Sequence, residues 1–227
     1  MGELALSIAV FLALHVLPST PLRQRLIDTV GRGAFMWAFS GLSLLLFAWV
    51  WLAYRRAPVE TVFWITGEAV RWGSALVLFA SALLLAAAVL ARERVLLTGE
   101  MALAGDRPLA GVLRVTRHPM LWAAGLWGLV HMLNNADPPG WAFFGTSTAL
   151  ALGGTWLIDR RRRRLLGARW ETVRAETSNL PFLAILQGRN RLVPGEIGWR
   201  PPALALLLWC GALAMHETLF GLPAVVF

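Results

Sequence analysis

The chain has 227 residues, 57% of them hydrophobic, with a mean hydropathy of +0.61, well above the roughly 45–50% apolar content of soluble domains. Its net charge of +8 comes from 21 arginines and no lysine, and arginine-rich loops in so apolar a chain read as orientation signals beside anionic headgroups, not as a nucleic-acid surface. The single cysteine, Cys210, excludes an internal disulfide and a paired-thiolate metal site.

Six apolar stretches, roughly 4–18, 34–54, 69–91, 119–135, 140–158 and 202–221, approach the length of about 20 residues needed for a crossing. They predict one all-α domain over 1–227, a polytopic membrane bundle of about six transmembrane helices plus a cytoplasmic amphipathic helix. The first stretch has neither the cationic start nor the small-residue cleavage site of a signal peptide and is retained as a helix. Pro18 and Pro21 then kink or break it.

Trp49, Trp51 and Tyr54 close the second stretch as an interfacial aromatic belt. Ala86, Ala87 and Ala88 close the third as a small-residue packing surface. After the fifth, Asp159 to Glu176 joins a charge run to Leu165, Leu166, Trp170 and Val173, which reads as a helix lying against the cytoplasmic interface with its apolar face toward lipid. Pro181 ends this region by disfavouring the helical conformation before it.

Arg23, Arg25, Arg32, Arg92, Arg94, Arg107, Arg114, Arg117, Arg160 to Arg164, Arg169, Arg174, Arg189, Arg191 and Arg200 fall on one side. Those eighteen face three on the other, Arg55, Arg56 and Arg71, so the positive-inside rule places the eighteen in the cytoplasm and both termini outside.

Histidines inside hydrocarbon carry the functional signal. His15 and His131 each lie about 18 Å from a membrane face on antiparallel helices, which brings them to nearly the same depth in a core of about 30 Å. His118, thirteen residues before His131, lies about 20 Å further along the same helix and shares no ligand with it. His216, beside Glu217, reads as an interfacial polar residue. Ala124 and Gly128 share the His131 face and form a shallow groove. Two readings of that groove stand side by side: close helix packing with His131 hydrogen-bonded across it, or a flat macrocycle with imidazole as axial ligand. Pro119 pre-sets a first helical turn. Arg117 and His118 before it fit either a haem propionate or phosphate or lipid headgroups. Asn134 and Asn135 read as helix-end caps, and Asn134 is also a candidate cofactor contact.

Residues 11–23, Thr116-Arg117-His118-Pro119, Val130-His131-Met132-Leu133-Asn134-Asn135 and Thr177-Ser178-Asn179-Leu180-Pro181-Phe182 together resemble the NnrU family of membrane proteins. That resemblance implies a role in bacterial denitrification and nitric-oxide handling, or, through the plant and algal branch, cis-trans isomerisation of a carotenoid-like polyene. It also implies haem b, with His15 and His131 as iron ligands and catalytic residues and Arg117, His118, Gly128 and Asn134 around the cofactor. The expected partners are the bilayer and either a hydrophobic small molecule or nitric oxide. The isomerase branch carries a cysteine where Gly128 stands, so this chain lacks that thiol. A second resemblance, to the isoprenylcysteine carboxyl methyltransferases, rests on Arg117-His118-Pro119 followed by Asn134, Asp159, Gly167 and Trp170. It implies S-adenosylmethionine at the cytoplasmic mouth. Asp159 stands where that family has glutamate, and Leu121 where it has tyrosine.

Overall fold

Helices in this chain stop where proline or glycine interrupts the apolar pattern. The computed structural model describes residues 1–91 and 109–221, and every regular element among them is helical. Helix α1 (Gly2–Val16) ends as Pro18 enters a short 3₁₀ turn over Leu17–Ser19, and α2 (Leu22–Val30) follows Pro21. Gly31, at φ +83°, makes the turn into α3 (Arg32–Arg56) that a side chain would resist. The order continues with α4 (Glu68–Leu90), α5 (Val112–Val115), α6 (Pro119–Asn134), α7 (Pro138–Leu166), α8 (Ala168–Glu176), α9 (Leu183–Leu186), α10 (Pro194–Ile197) and α11 (Arg200–Phe220).

Three of these, α3, α4 and α11, are long and apolar enough to cross a membrane. The chain is a helical membrane protein on that basis. The other expected crossings fall short: at 15 and 16 residues, α1 and α6 rise about 22 and 24 Å, against a hydrocarbon core of about 30 Å. Helix α7 is long enough, but its residues include Gly153, Gly154 and the run Arg160 to Arg164. Arg92, Arg94 and Arg107, counted toward orientation, lie outside the described residues.

The expected interfacial helix over 159–176 divides. Nothing breaks the helix between Ile158 and Leu166, so α7 runs on through the arginines until Gly167, at φ +54°, turns the chain into α8. The apolar face of α8 is not turned to lipid. Trp170 is 1% and Val173 5% exposed, and both pack against Ala87, Ala88, Val112 and Leu113. That burial moves the helix from a lipid anchor to part of the protein core. By contrast, α2 buries none of its residues.

Helix α6 is central, packed on α4 along one side and on α7 along the other, with α11 against α4 and α1 against α3. Leu4, Phe11, Val50, Ala53, Phe143 and Phe144 form the core joining α1, α3 and α7. Residues 57–67 fold across the far end of α6. The Phe63 backbone N–H donates to the Ala136 carbonyl at 2.7 Å, and Trp64 Nε1 donates to the Leu133 carbonyl at 3.0 Å. These bonds satisfy acceptors at and just beyond the helix end, where the helix itself offers them no donor.

Candidate functional site

His15 and His131 are held in the same way. Each Nδ1 lies 2.8 Å from the carbonyl oxygen one turn earlier on its own helix, Phe11 for His15 and Trp127 for His131. A carbonyl only accepts, so each Nδ1 carries a proton, and the neutral form of either ring has its lone pair on Nε2. Metal-ligating histidines are commonly oriented by this kind of bond to a carbonyl.

Aromatic rings enclose both imidazoles. His15 lies 4.2 Å from the ring of Phe11 and 5.6 Å edge-on to Phe39. His131 stacks on Phe144 at 5.0 Å and 27°, with Trp127 at 4.8 Å. The two sites are joined by rings: Phe11 meets Phe47 at 6.2 Å, Phe47 meets Phe143 at 5.8 Å, and Phe143 meets Phe144 at 4.9 Å. A chain of ring contacts therefore runs from the first helix to the sixth.

Gly128 does not leave a groove beside His131. A Cβ there would collide with Thr148 Oγ1 and come within 3.0 Å of the Phe144 carbonyl oxygen, because α7 already occupies the space. Its missing side chain brings two helices together, which is the small-residue packing reading. Gly128→Val is expected to cost about 1–3 kcal/mol by forcing α6 and α7 apart. Thermal unfolding in detergent checks this; a variant as stable as the parent would show that α7 yields freely.

Asn134 is likewise committed to the fold. Its amide donates to Ser74 Oγ and to the Val130 carbonyl, each at 2.8 Å, and its oxygen accepts from Thr66 Oγ1 at 3.0 Å. One donor hydrogen ties α6 to α4 and the other bonds back within α6, so both are engaged by the fold. Asn135 donates to the His131 carbonyl at 2.8 Å, as a cap.

At the opposite end of α6, Arg117 and His118 converge on Asp159. Arg117 Nε and Nη2 reach Asp159 Oδ2 at 2.9 and 2.6 Å, and His118 Nε2 donates to Oδ1 at 2.6 Å. Arg117 Nη1 also donates to the Thr177 carbonyl at 3.3 Å, and its guanidinium lies 5.6 Å from the Trp170 ring. Both side chains are at most 10% exposed. In this structure both side chains are engaged by Asp159 within the chain. Asn179 extends the network: its oxygen accepts from Trp122 Nε1 at 3.1 Å, its amide donates to Thr155 Oγ1 at 2.8 Å, and its carbonyl accepts from Thr116 Oγ1. The sequence by itself points to no role for Asn179, and to one for Asp159 only through the methyltransferase resemblance. That resemblance also grouped Asn134 with Arg117, yet sixteen helical residues separate the two ends of α6, about 24 Å.

Comparison with known proteins agrees with the family resemblance read from the sequence. Two curated relatives are chloroplastic 15-cis-zeta-carotene isomerases. The one from Zea mays is 34% identical over 91 residues and the one from Arabidopsis thaliana 33% over 89. Each match covers 36% of this chain and 22% of the relative's length, so the chain spans well under half of either enzyme. No solved structure matches. The family model described as NnrU protein matches residues 3–224, nearly the whole sequence, and the chain belongs to the NnrU family.

Proposed function

We propose that this protein binds haem b through His15 and His131 and isomerises a cis double bond in a carotenoid-like polyene. The observation that carries the reading is the matched arrangement of the two imidazoles, each with Nδ1 tied to its own helix and Nε2 left as a ligand. The donor type fits, since imidazole in an apolar setting is a common ligand of haem iron.

The residues of the chain would divide the work. His15 and His131 hold the metal, while Phe11, Phe39, Trp127 and Phe144 exclude water and offer flat apolar faces to a conjugated chain. When bound, haem supplies an electronic centre able to weaken a conjugated double bond. The fold keeps that bond dry and oriented. Isomerisation is rotation about one carbon-carbon bond, so no proton or leaving group needs a path. The two isomerase relatives support the substrate class.

We also infer six crossings, with α1, α6 and α7 added to the three long apolar helices and both termini in the periplasm of a bacterial inner membrane. The arginine asymmetry supports this arrangement.

Protein purified after expression with haem supplied is expected to show a b-type Soret band. Co-expression in cells accumulating 15-cis-zeta-carotene is expected to deplete that isomer. Colourless protein would overturn the haem assignment; intact haem with an unchanged pigment profile would replace isomerisation by nitric-oxide handling.

A further inference from the structure

Helix α2 lies across one membrane face. Its neighbours α1 and α3 run antiparallel, since Phe11 meets Phe47 whereas His15, one turn further along α1, meets Phe39, two turns earlier on α3. The nine residues of α2 between them rise about 13 Å, too little to cross a hydrocarbon core of about 30 Å. They sit where α3, long and apolar enough to span, begins at Arg32.

The residue pattern of α2 is that of an interfacial helix. Leu22, Leu26 and Val30 recur at every fourth position and form one stripe. At about 100° per residue, Arg23 and Arg25 fall on opposite flanks of that stripe, and Asp28, the only acid of the helix, falls on the far side. Gln24 holds Asp28 there, donating to its Oδ1 at 2.8 Å. Leu26 and Ile27 are half-buried, while Leu22 and Val30 remain 48% and 53% exposed. The guanidinium of Arg23 lies 6.0 Å over the ring of Phe35, which ties that flank to α3. Arg25 is exposed. The stripe of α8 is used up in the protein core, and that of α2 is not.

We propose that α2 is a docking surface for anionic phospholipid, with Leu22 and Val30 among the acyl chains and Arg23 and Arg25 against the headgroup phosphates. The charge separation on the helix carries the choice of partner. A neutral bilayer would satisfy the stripe alone, whereas two guanidinium groups flanking it, with the carboxylate turned away, complement a negatively charged lipid surface. The contact would fix the chain at the membrane face just after the helix that carries His15, and it needs no cofactor.

Nitroxide labels on the full-length protein test this, in a Cys210→Ser background because Cys210 is the only native cysteine. One label is placed at Leu22→Cys, on the stripe, and one at Gln24→Cys, opposite it. Each protein is reconstituted in phosphatidylcholine vesicles with and without phosphatidylglycerol, and collisions with oxygen, which concentrates in hydrocarbon, are compared with those of a water-soluble nickel chelate. With phosphatidylglycerol, the Leu22 label is expected to favour oxygen and the Gln24 label the chelate. The Leu22 preference is expected to weaken in phosphatidylcholine alone, in high salt, and when Arg23→Gln is combined with Arg25→Gln, and to return when both positions are changed to lysine. Equal water exposure of the two labels would overturn the docking surface. A Leu22 label buried to the same depth in both lipids, or released as fully by lysine as by glutamine, would overturn the anionic partner.

Discussion

Replacing Asp159 by alanine is expected to cost about 3–5 kcal/mol of folded-state stability, the usual effect of removing one partner from a buried ion pair. Arg117 and His118 would be left facing each other, their side chains 10% and 3% exposed, without the carboxylate that accepts from both. A loss of that size is a large share of the roughly 5–15 kcal/mol that holds a domain folded. The charge itself is not what the site requires. Arg117→Met combined with Asp159→Leu leaves no orphaned ion and should be milder than Asp159→Ala alone. Unfolding midpoints in detergent decide the matter: a double variant worse than the single would show that the pair is net stabilising and not merely costly to break.

The same site makes stability fall on acidification. Burial holds the His118 pKa down against the pull of its hydrogen bond to Asp159, with Arg162 and Arg117 adding to the depression. An unfolded histidine titrates near about 6.5, so on acidification the unfolded chain takes up this proton first. The contribution is full above about pH 6.5 and is lost as pH falls toward the lower folded value. Burial pushes the Asp159 carboxyl up, but hydrogen bonds from His118 and Arg117 outweigh it and hold the group below the usual carboxylate range. Its contribution is present above about pH 4 and is lost as pH falls through the folded value. His118→Gln is expected to flatten the first decline and to weaken the second, which then rests mainly on Arg117. Equal slopes in parent and variant between about pH 6.5 and 5 would remove His118 as the source.

What the sequence made legible follows how local the determining force is. Helix ends at Pro18 and Pro119 are readable because proline acts through its own backbone. The continuation of α7 through Arg160 to Arg164 is not, because a charge run looks like an exit from the membrane although arginine is a good helix former. The apolar stripe of α8 was visible, but Trp170 and Val173 carry the same pattern whether they face lipid or protein. Gly128 poses a similar problem, since a missing side chain reads alike in an open groove and in a filled contact. Asp159 is the hardest case. Its partners lie 41 and 42 residues earlier, and no periodicity connects one carboxylate in an arginine run to Arg117 and His118. Depth along a helix, by contrast, is arithmetic, which is why the pairing of His15 with His131 can be proposed from sequence alone.

His131→Ala is expected to weaken haem binding by on the order of a hundredfold or more, since loss of even an outer-shell partner commonly costs about 10–100-fold. The fold is expected to survive the change. In this structure His131 contributes one stacking contact to Phe144 and one to Trp127, and aromatic pairs of this kind are worth about 0.5–1.5 kcal/mol each. Its bond to the Trp127 carbonyl lies within a single helix, so removing it breaks no link between helices. A ligand role and a packing role therefore predict opposite patterns. Ligation predicts lost Soret absorbance with a small change in unfolding temperature, and recovery of the band when free imidazole fills the space left at alanine. Packing alone predicts a lower unfolding temperature and an unchanged spectrum, and that result would return His131 to the role of a core histidine held by its own helix and the ring of Phe144.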